Sequence, residues 1–164
     1  MLSVRRKPLA AAFAVYLVVV AALTIVPTHV SRVKSHDPNP INLVPVVYSF
    51  TCFQQDSGAH PHITRFCLKN LLGNIALFLP LGILLPLVSD RSGSLKRVLL
   101  FGFCLSLSIE TIQFVLRFVG NDRAVDIDDV LLNTLGACLG FVIYRLVIRK
   151  RIRGQQGERG KGKG

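Results

Sequence analysis

Long apolar runs separated by short polar segments dominate the pattern of this chain. Two of them, Leu9–Val26 and Leu71–Val88, each contain 18 residues without a charged side chain. At about 1.5 Å per residue, this length is close to the minimum that crosses a ~30 Å hydrocarbon core. Two further apolar segments, Val98–Val119 and Val130–Ile148, are interrupted by isolated polar residues. The pattern predicts an all-α integral membrane protein in which residues 9–148 form a bundle of four transmembrane helices.

The composition agrees with this interpretation and excludes two classes of protein. Apolar residues make up 51% of the chain before its 13 glycines are counted, and the mean hydropathy is +0.48. A soluble domain reaches about 45–50% only when glycine is included, so a typical soluble enzyme is excluded. The formal charge of +11 would suit a nucleic-acid-binding protein, but the chain lacks a recognisable groove-reading motif. No nucleic-acid partner is expected.

The distribution of the basic residues predicts the orientation in the membrane. Of the 20 Lys and Arg residues, 14 lie in the amino-terminal flank, the loop between the second and third spans, and the segment from Arg145 onward. Basic residues near the ends of spans are retained in the cytoplasm, so we expect a multi-pass protein of the cell membrane with both termini cytoplasmic. Residues 149–164 mix basic side chains with glycine and glutamine, which predicts a disordered basic cytoplasmic tail.

The first apolar run has an alternative interpretation as a cleaved signal peptide, because the basic pair Arg5-Arg6 precedes it. A signal core has roughly 7–15 apolar residues and ends at a small-x-small cleavage site. The run here is longer, and Pro27-Thr28-His29 follows it. Retention as a membrane anchor is therefore the favoured interpretation.

The first loop contains two cysteines and, in the predicted orientation, faces an oxidising compartment. Cys52 and Cys67 lie in this loop, where a disulfide closing about 16 residues would contribute about 3 kcal/mol; two free thiols are the alternative. His60 and His62 have too few partners for a metal site of ordinary coordination, so a solvated turn is expected there. Prolines flank Ile41–Val44, which predicts extended chain.

Polar residues recur at helical spacing in the third span. Four of them are separated by four, three and four positions: Ser106, Glu110, Gln113 and Arg117. Residues at this spacing lie on one face of a helix. A carboxylate near the bilayer interior costs at least ~2.5 kcal/mol on insertion scales, so Glu110 requires a partner or a function.

The second and fourth spans repeat this geometry. Asn70 and Asn74 are four residues apart in the second span. The fourth span carries a stripe with spacings of three, four, three and four: Asp126, Asp129, Asn133, Gly136 and Gly140. Glycines allow two helices to approach closely, and a proline ring removes a helical hydrogen bond and kinks the helix. Structural roles are therefore predicted for Pro80, Gly82, Gly136 and Gly140.

The three polar stripes are richest at the predicted outer ends of their helices. We expect them to face one another around a polar cleft open to the outside, with Arg117 or Arg123 balancing the acidic side chains. The alternative is that these groups only join the helices, through interhelical hydrogen bonds worth roughly 0.6 kcal/mol each. The candidate ligand-binding residues are Asn74, Glu110, Gln113, Arg123, Asp126, Asp129 and Asn133.

The order of these motifs resembles the VanZ-like family of small bacterial membrane proteins. The matching segments run from Asn42-Leu43-Val44-Pro45, through Asn74–Gly82, to Glu110-Thr111-Ile112-Gln113. They are followed by Arg123, Asp126, Asp129, Asn133 and Gly136. The length of the first loop departs from the family pattern. The resemblance implies a membrane protein without an agreed biochemical activity, in a family whose named member lowers susceptibility to teicoplanin.

Three functions are compatible with the sequence. The favoured one is a non-enzymatic protein of the cell envelope, without a cofactor or metal, whose cleft binds an amphiphile at the outer leaflet. Its partners would be membrane lipids and either a lipid-linked cell-wall precursor or a lipoglycopeptide.

The first alternative is a membrane-embedded, metal-assisted enzyme acting on lipid phosphates, with Glu110, Asp126, Asp128 and Asp129 as Mg²⁺ ligands. The absence of H-E-x-x-H and G-x-S-x-G motifs disfavours familiar hydrolase chemistry. The second alternative is a small transporter subunit, since an intramembrane carboxylate suits proton coupling.

Overall fold

Four helices account for nearly all of the backbone that the structure describes. A computed structural model of the chain describes residues 2–25, 41–42, 61–89, 93–118 and 125–150. The helices are α1 (Leu2–Ile25), α2 (Pro61–Val88), α3 (Leu95–Arg117) and α4 (Ile127–Ile143). Two short strands accompany them, β1 (Ile41–Asn42) and β2 (Val125–Asp126). A π-helical turn, Tyr144–Ile148, continues α4, and helical backbone extends to Lys150.

All four helices are long and apolar enough to cross a membrane, which confirms the predicted number of spans. The spanning segments are Lys7–Ile25, Leu68–Val88, Leu95–Arg117 and Ile127–Ile148. Their orientation relative to the two sides of the membrane stays a prediction. Residues 151–164 of the predicted tail lie outside the described residues, whereas Arg149 and Lys150 continue the last helix.

The second helix begins earlier than the hydropathy pattern predicts. It starts at Pro61, so His62 and Cys67 lie on helical backbone and the turn predicted at His62 was wrong. Both residues still precede the second spanning segment, which begins at Leu68. Proline suits the first helical position, because its fixed φ is helical and its missing N–H has no partner there. The helix continues through Pro80 and Pro86.

The helices form a bundle in which α2 and α3 each pack against both α1 and α4. The last helix, α4, packs extensively on α2 and also on α3, whereas α1 packs on these two helices less closely. The Tyr16 hydroxyl of α1 donates to the Leu77 carbonyl of α2 at 2.8 Å, and Val20 is buried in the core. These contacts make α1 an integral part of the bundle.

Glycines set the close contact between α2 and α4. A Cβ atom built on Gly82 would lie 2.6 Å from the Phe141 backbone nitrogen and nearer still to the carbonyl oxygen of Ala137. Gly136 and Gly140 similarly face backbone carbonyls of α2. The two helix backbones therefore touch along this seam, and a side chain at any of the three glycines would force them apart.

A two-residue parallel ladder joins the segment after α1 to the start of α4. Ile41 pairs with Val125 and Asn42 pairs with Asp126. The extended chain predicted around Ile41 is therefore confirmed at these two positions. The pairing places the backbone of the first connection against the entrance of α4, at the end of the bundle where α3 ends.

Candidate functional site

Polar side chains from α2, α3 and α4 meet at one end of the bundle, where α2 and α4 begin and α3 ends. We call this cluster the polar layer; its members are Asn70, Asn74, Ser106, Glu110, Asp126, Asp128, Asp129 and Asn133. Glu110 lies seven residues before the end of α3 and Asn133 lies six residues after the start of α4. At about 1.5 Å per residue, both lie roughly 10 Å below the ends of their helices. Glu110 and Asn133 are thus inside the spanning part of the bundle, whereas Asp126 immediately precedes the spanning segment Ile127–Ile148.

The start of α4 is organised around the buried carboxylate of Glu110. Asp126 is the N-cap residue, and its Oδ1 accepts a hydrogen bond from the Asp128 backbone N–H at 2.9 Å. The backbone N–H of Asp126 donates to Glu110 Oε2 at 3.1 Å. An aspartate at an N-cap satisfies an otherwise unpaired donor of the first turn and suits the positive end of the helix dipole. Glu110 therefore anchors the entrance of α4 to α3.

The carboxylate of Asp129 joins α4 to α2. Its Oδ1 accepts hydrogen bonds from the side-chain amides of Asn70, at 3.2 Å, and of Asn74. One carboxyl oxygen can accept two hydrogen bonds, so this pair of amides fixes the position of the Asp129 side chain between the two helices. The predicted stripes of the second and fourth spans thus face each other.

Asn133 joins α4 to α3 through one end of its side-chain amide, and the amide oxygen at the other end is buried without a partner among the described residues. Its Nδ2 donates to Ser106 Oγ at 2.8 Å. The residue is only 3% exposed, and its Oδ1 has no hydrogen-bond partner among the described residues. An unpaired buried acceptor costs about 1–3 kcal/mol. A donor from a water molecule or a ligand would remove this cost.

Gln113 contacts α1, whereas Ser106 and Glu110 of the same polar stripe contact α4 or the strand before it. Its Nε2 donates to the Thr24 backbone carbonyl at 2.8 Å, which joins α3 to the end of α1. Thr24 itself donates through Oγ1 to the Val20 carbonyl of its own helix. The structure therefore places Gln113 at the α1–α3 contact, where its observed role is to connect helices.

Several sequence-based candidates fall outside the polar layer or beyond the described residues. Arg123 and Cys52 lie outside the described residues, and only the backbone of Cys67 is described. Arg117 is half-buried at the end of α3. The proposed disulfide and the role of Arg123 stay predictions.

Asp128 is a buried member of the layer that is absent from the candidate ligand-binding residues and was named only among the Mg²⁺ ligands of the enzymatic alternative. The helical spacing selected Asp126 and Asp129 instead, but Asp126 precedes the helix, so a helical period does not relate it to the residues that follow. The carboxylate-rich run at positions 126–129 was the only available signal. Within the described segments, no three or more His, Cys, Asp or Glu side chains are grouped to hold a metal ion.

Comparison with known proteins identifies the family. A family model described as VanZ/LLP1 matches residues 13–148. Protein VanZ from Enterococcus faecium is 33% identical over 97 residues, which cover 59% of this chain and 57% of that protein. The chain thus matches little more than half the length of this relative, and no solved structure matches. Because the family match extends from α1 to the end of the π-helical turn, the chain belongs to the VanZ/LLP1 family.

Proposed function

We propose that this protein is a non-enzymatic binding protein of the cell envelope, which receives the polar part of an amphiphile in its polar layer. The observation that carries the proposal is the buried Oδ1 of Asn133, an acceptor without a partner among the described residues. A polar atom in that state is suited to a ligand or water that supplies a donor. Ser106 holds this amide in place from α3.

The chemistry of the polar layer favours a ligand rich in hydrogen-bond donors. Four buried or half-buried carboxylates accompany the amide, from Glu110, Asp126, Asp128 and Asp129. Such acceptors suit sugar hydroxyls, amide N–H groups or an ammonium group, whereas they repel a phosphate. A lipid-linked cell-wall precursor or a lipoglycopeptide offers these donors together with an apolar tail. Any phosphate of the ligand would lie nearer Arg117, because guanidinium groups bind phosphate well.

The family relationship links this binding to drug tolerance. The resemblance implies lower susceptibility to teicoplanin, whose lipid tail vancomycin lacks. Expression in a susceptible host should therefore raise the minimal inhibitory concentration of teicoplanin more than that of vancomycin. Equal changes, or no change, for the two drugs would contradict the proposal.

A substitution within the layer tests the binding step directly. Asn133→Leu keeps the size of the side chain but removes the unpaired acceptor, so we expect affinity for a lipid-linked cell-wall precursor in proteoliposomes to fall about 5- to 150-fold, corresponding to ~1–3 kcal/mol. Thr134→Val is the matched control, because the Thr134 hydroxyl donates to the Val130 carbonyl of its own helix. Unchanged affinity for Asn133→Leu would refute a ligand-binding role for this amide.

Thermal stability separates binding from a purely structural role. The Asn133→Leu substitution removes the buried acceptor without a partner, at a gain of about 1–3 kcal/mol, but it also removes the 2.8 Å hydrogen bond from Asn133 Nδ2 to Ser106 Oγ. These two effects offset each other, so the variant should unfold at about the same temperature as the parent. A role in joining helices predicts instead that unfolding temperature and affinity fall together.

A further inference from the structure

An apolar groove lies at the end of the bundle opposite the polar layer. It lies between α2 and α3, has a volume of about 270 Å³, and is lined mainly by apolar atoms; the lining residues are Leu85, Arg97, Leu100, Phe101 and Cys104. This size is slightly below that of pockets for drug-sized ligands. It suits a segment of an acyl chain better than a whole polar headgroup.

One face of α3 supplies four of the five lining residues. Arg97, Leu100, Phe101 and Cys104 follow at i, i+3, i+4 and i+7, so they form a continuous stripe over two turns. Arg97 is the third residue of α3 and Cys104 lies about 10 Å further along the axis. A cation therefore stands at the helix end, and an apolar surface extends from it toward the membrane centre.

Charge complementarity identifies the occupant. This end of the bundle, which we call the basic end, carries six cationic residues whose side chains the structure describes: Lys7, Lys96, Arg97, Arg145, Arg149 and Lys150. All the acidic residues among the described segments belong to the polar layer at the other end. A ligand at the basic end should therefore combine an anionic head with an acyl chain.

We propose that the groove beside Arg97 binds one phospholipid with an anionic headgroup, taken from the leaflet at the basic end. The Arg97 guanidinium faces the phosphate, and the acyl chain lies along Leu100 and Phe101 against Leu85. This differs from diffuse attraction of a basic surface to anionic lipid, because it assigns a distinct role to Arg97 relative to neighbouring cations. Lys96 is adjacent and exposed but does not line the groove.

The chain contains no tryptophan, so a single introduced tryptophan reports lipid contact. Phe101→Trp places the fluorophore in the groove, and Phe103→Trp is the control, because Phe103 is 41% exposed against 40% for Phe101 yet lies on another face of α3. Each variant is reconstituted as the full chain in phosphatidylcholine vesicles. In separate series, an increasing fraction of the vesicle lipid is replaced by brominated phosphatidylglycerol or by brominated phosphatidylcholine, and quenching of the tryptophan fluorescence is measured.

The expected result is that brominated phosphatidylglycerol quenches Phe101→Trp at about fivefold lower fraction than brominated phosphatidylcholine does, corresponding to ~1 kcal/mol for one basic side chain at anionic lipid. Phe103→Trp should not distinguish the two lipids. Adding Arg97→Gln should abolish the preference, whereas adding Lys96→Gln should preserve it. Equal quenching of Phe101→Trp by both lipids, or equal effects of the two cation substitutions, would overturn the proposal.

Discussion

The seam between α2 and α4 permits a quantitative prediction about Gly82→Ala. The new methyl carbon would lie 2.6 Å from the Phe141 backbone nitrogen, whereas ordinary contact begins near 3.4 Å. The helices must therefore separate by at least about 0.8 Å at this point, and the obstructing atoms are backbone atoms that cannot rotate away. Overpacking of this kind costs about 1–3 kcal/mol, and we expect the upper end of that range.

The assay is thermal unfolding of purified protein in detergent. A loss of ~3 kcal/mol corresponds to a fall of roughly 6–12 °C in the midpoint for a chain of this size. The matched control is Gly73→Ala on the same helix, where a Cβ would meet nothing within 4 Å and alanine has the better helix propensity. Gly102→Ala should be intermediate, because its nearest neighbour is the Ala137 side chain at 3.0 Å. Equal midpoints for the Gly82 and Gly73 variants would refute the backbone contact.

Three further predictions concern individual hydrogen bonds. Ser106→Ala should lower the unfolding midpoint, because it deprives the buried Asn133 amide of its acceptor at a cost of about 1–3 kcal/mol. Ser108→Ala is the control and should leave the midpoint unchanged, since that exposed hydroxyl donates to its own helix. Equal midpoints for the two variants would contradict this prediction. Glu110→Leu should destabilise the protein by leaving the Asp126 N–H unpaired, and Glu110→Gln should restore most of the loss by supplying an amide oxygen. Failure of glutamine to restore stability would show that charge matters more than hydrogen bonding. Tyr16→Phe should lower the free energy of unfolding by only about 0.6 kcal/mol, the usual value for an interhelical hydrogen bond in a membrane. A larger loss in the same assay would mean that the hydrogen bond from Tyr16 to the Leu77 carbonyl is the main contact that holds α1.

The sequence by itself determined the spanning segments of the helices and the buried face of α3 at Ser106 and Glu110. Eighteen apolar residues from Leu71 onward predicted a span, and the spanning part of α2 is Leu68–Val88. The spacing of Ser106 and Glu110 likewise placed both on one face of α3, and both are buried. Both properties can be read from a single segment of the chain. The thickness of the hydrocarbon core sets the length of a spanning helix, and the helical repeat sets the spacing of the residues on one face.

Tertiary structure decided which groups meet across the bundle. Gln113 shares a stripe with Glu110, yet it contacts the backbone of α1. Asp128 is off the predicted stripe, yet it is buried beside the N-cap of α4. Likewise, nothing in the residue types marks Asn133 Oδ1 as the acceptor left without a partner in the described part of the chain. The helical repeat fixes the direction of a side chain around its own axis. Its partner depends on how far neighbouring helices are displaced along and around that axis, which only their packing determines.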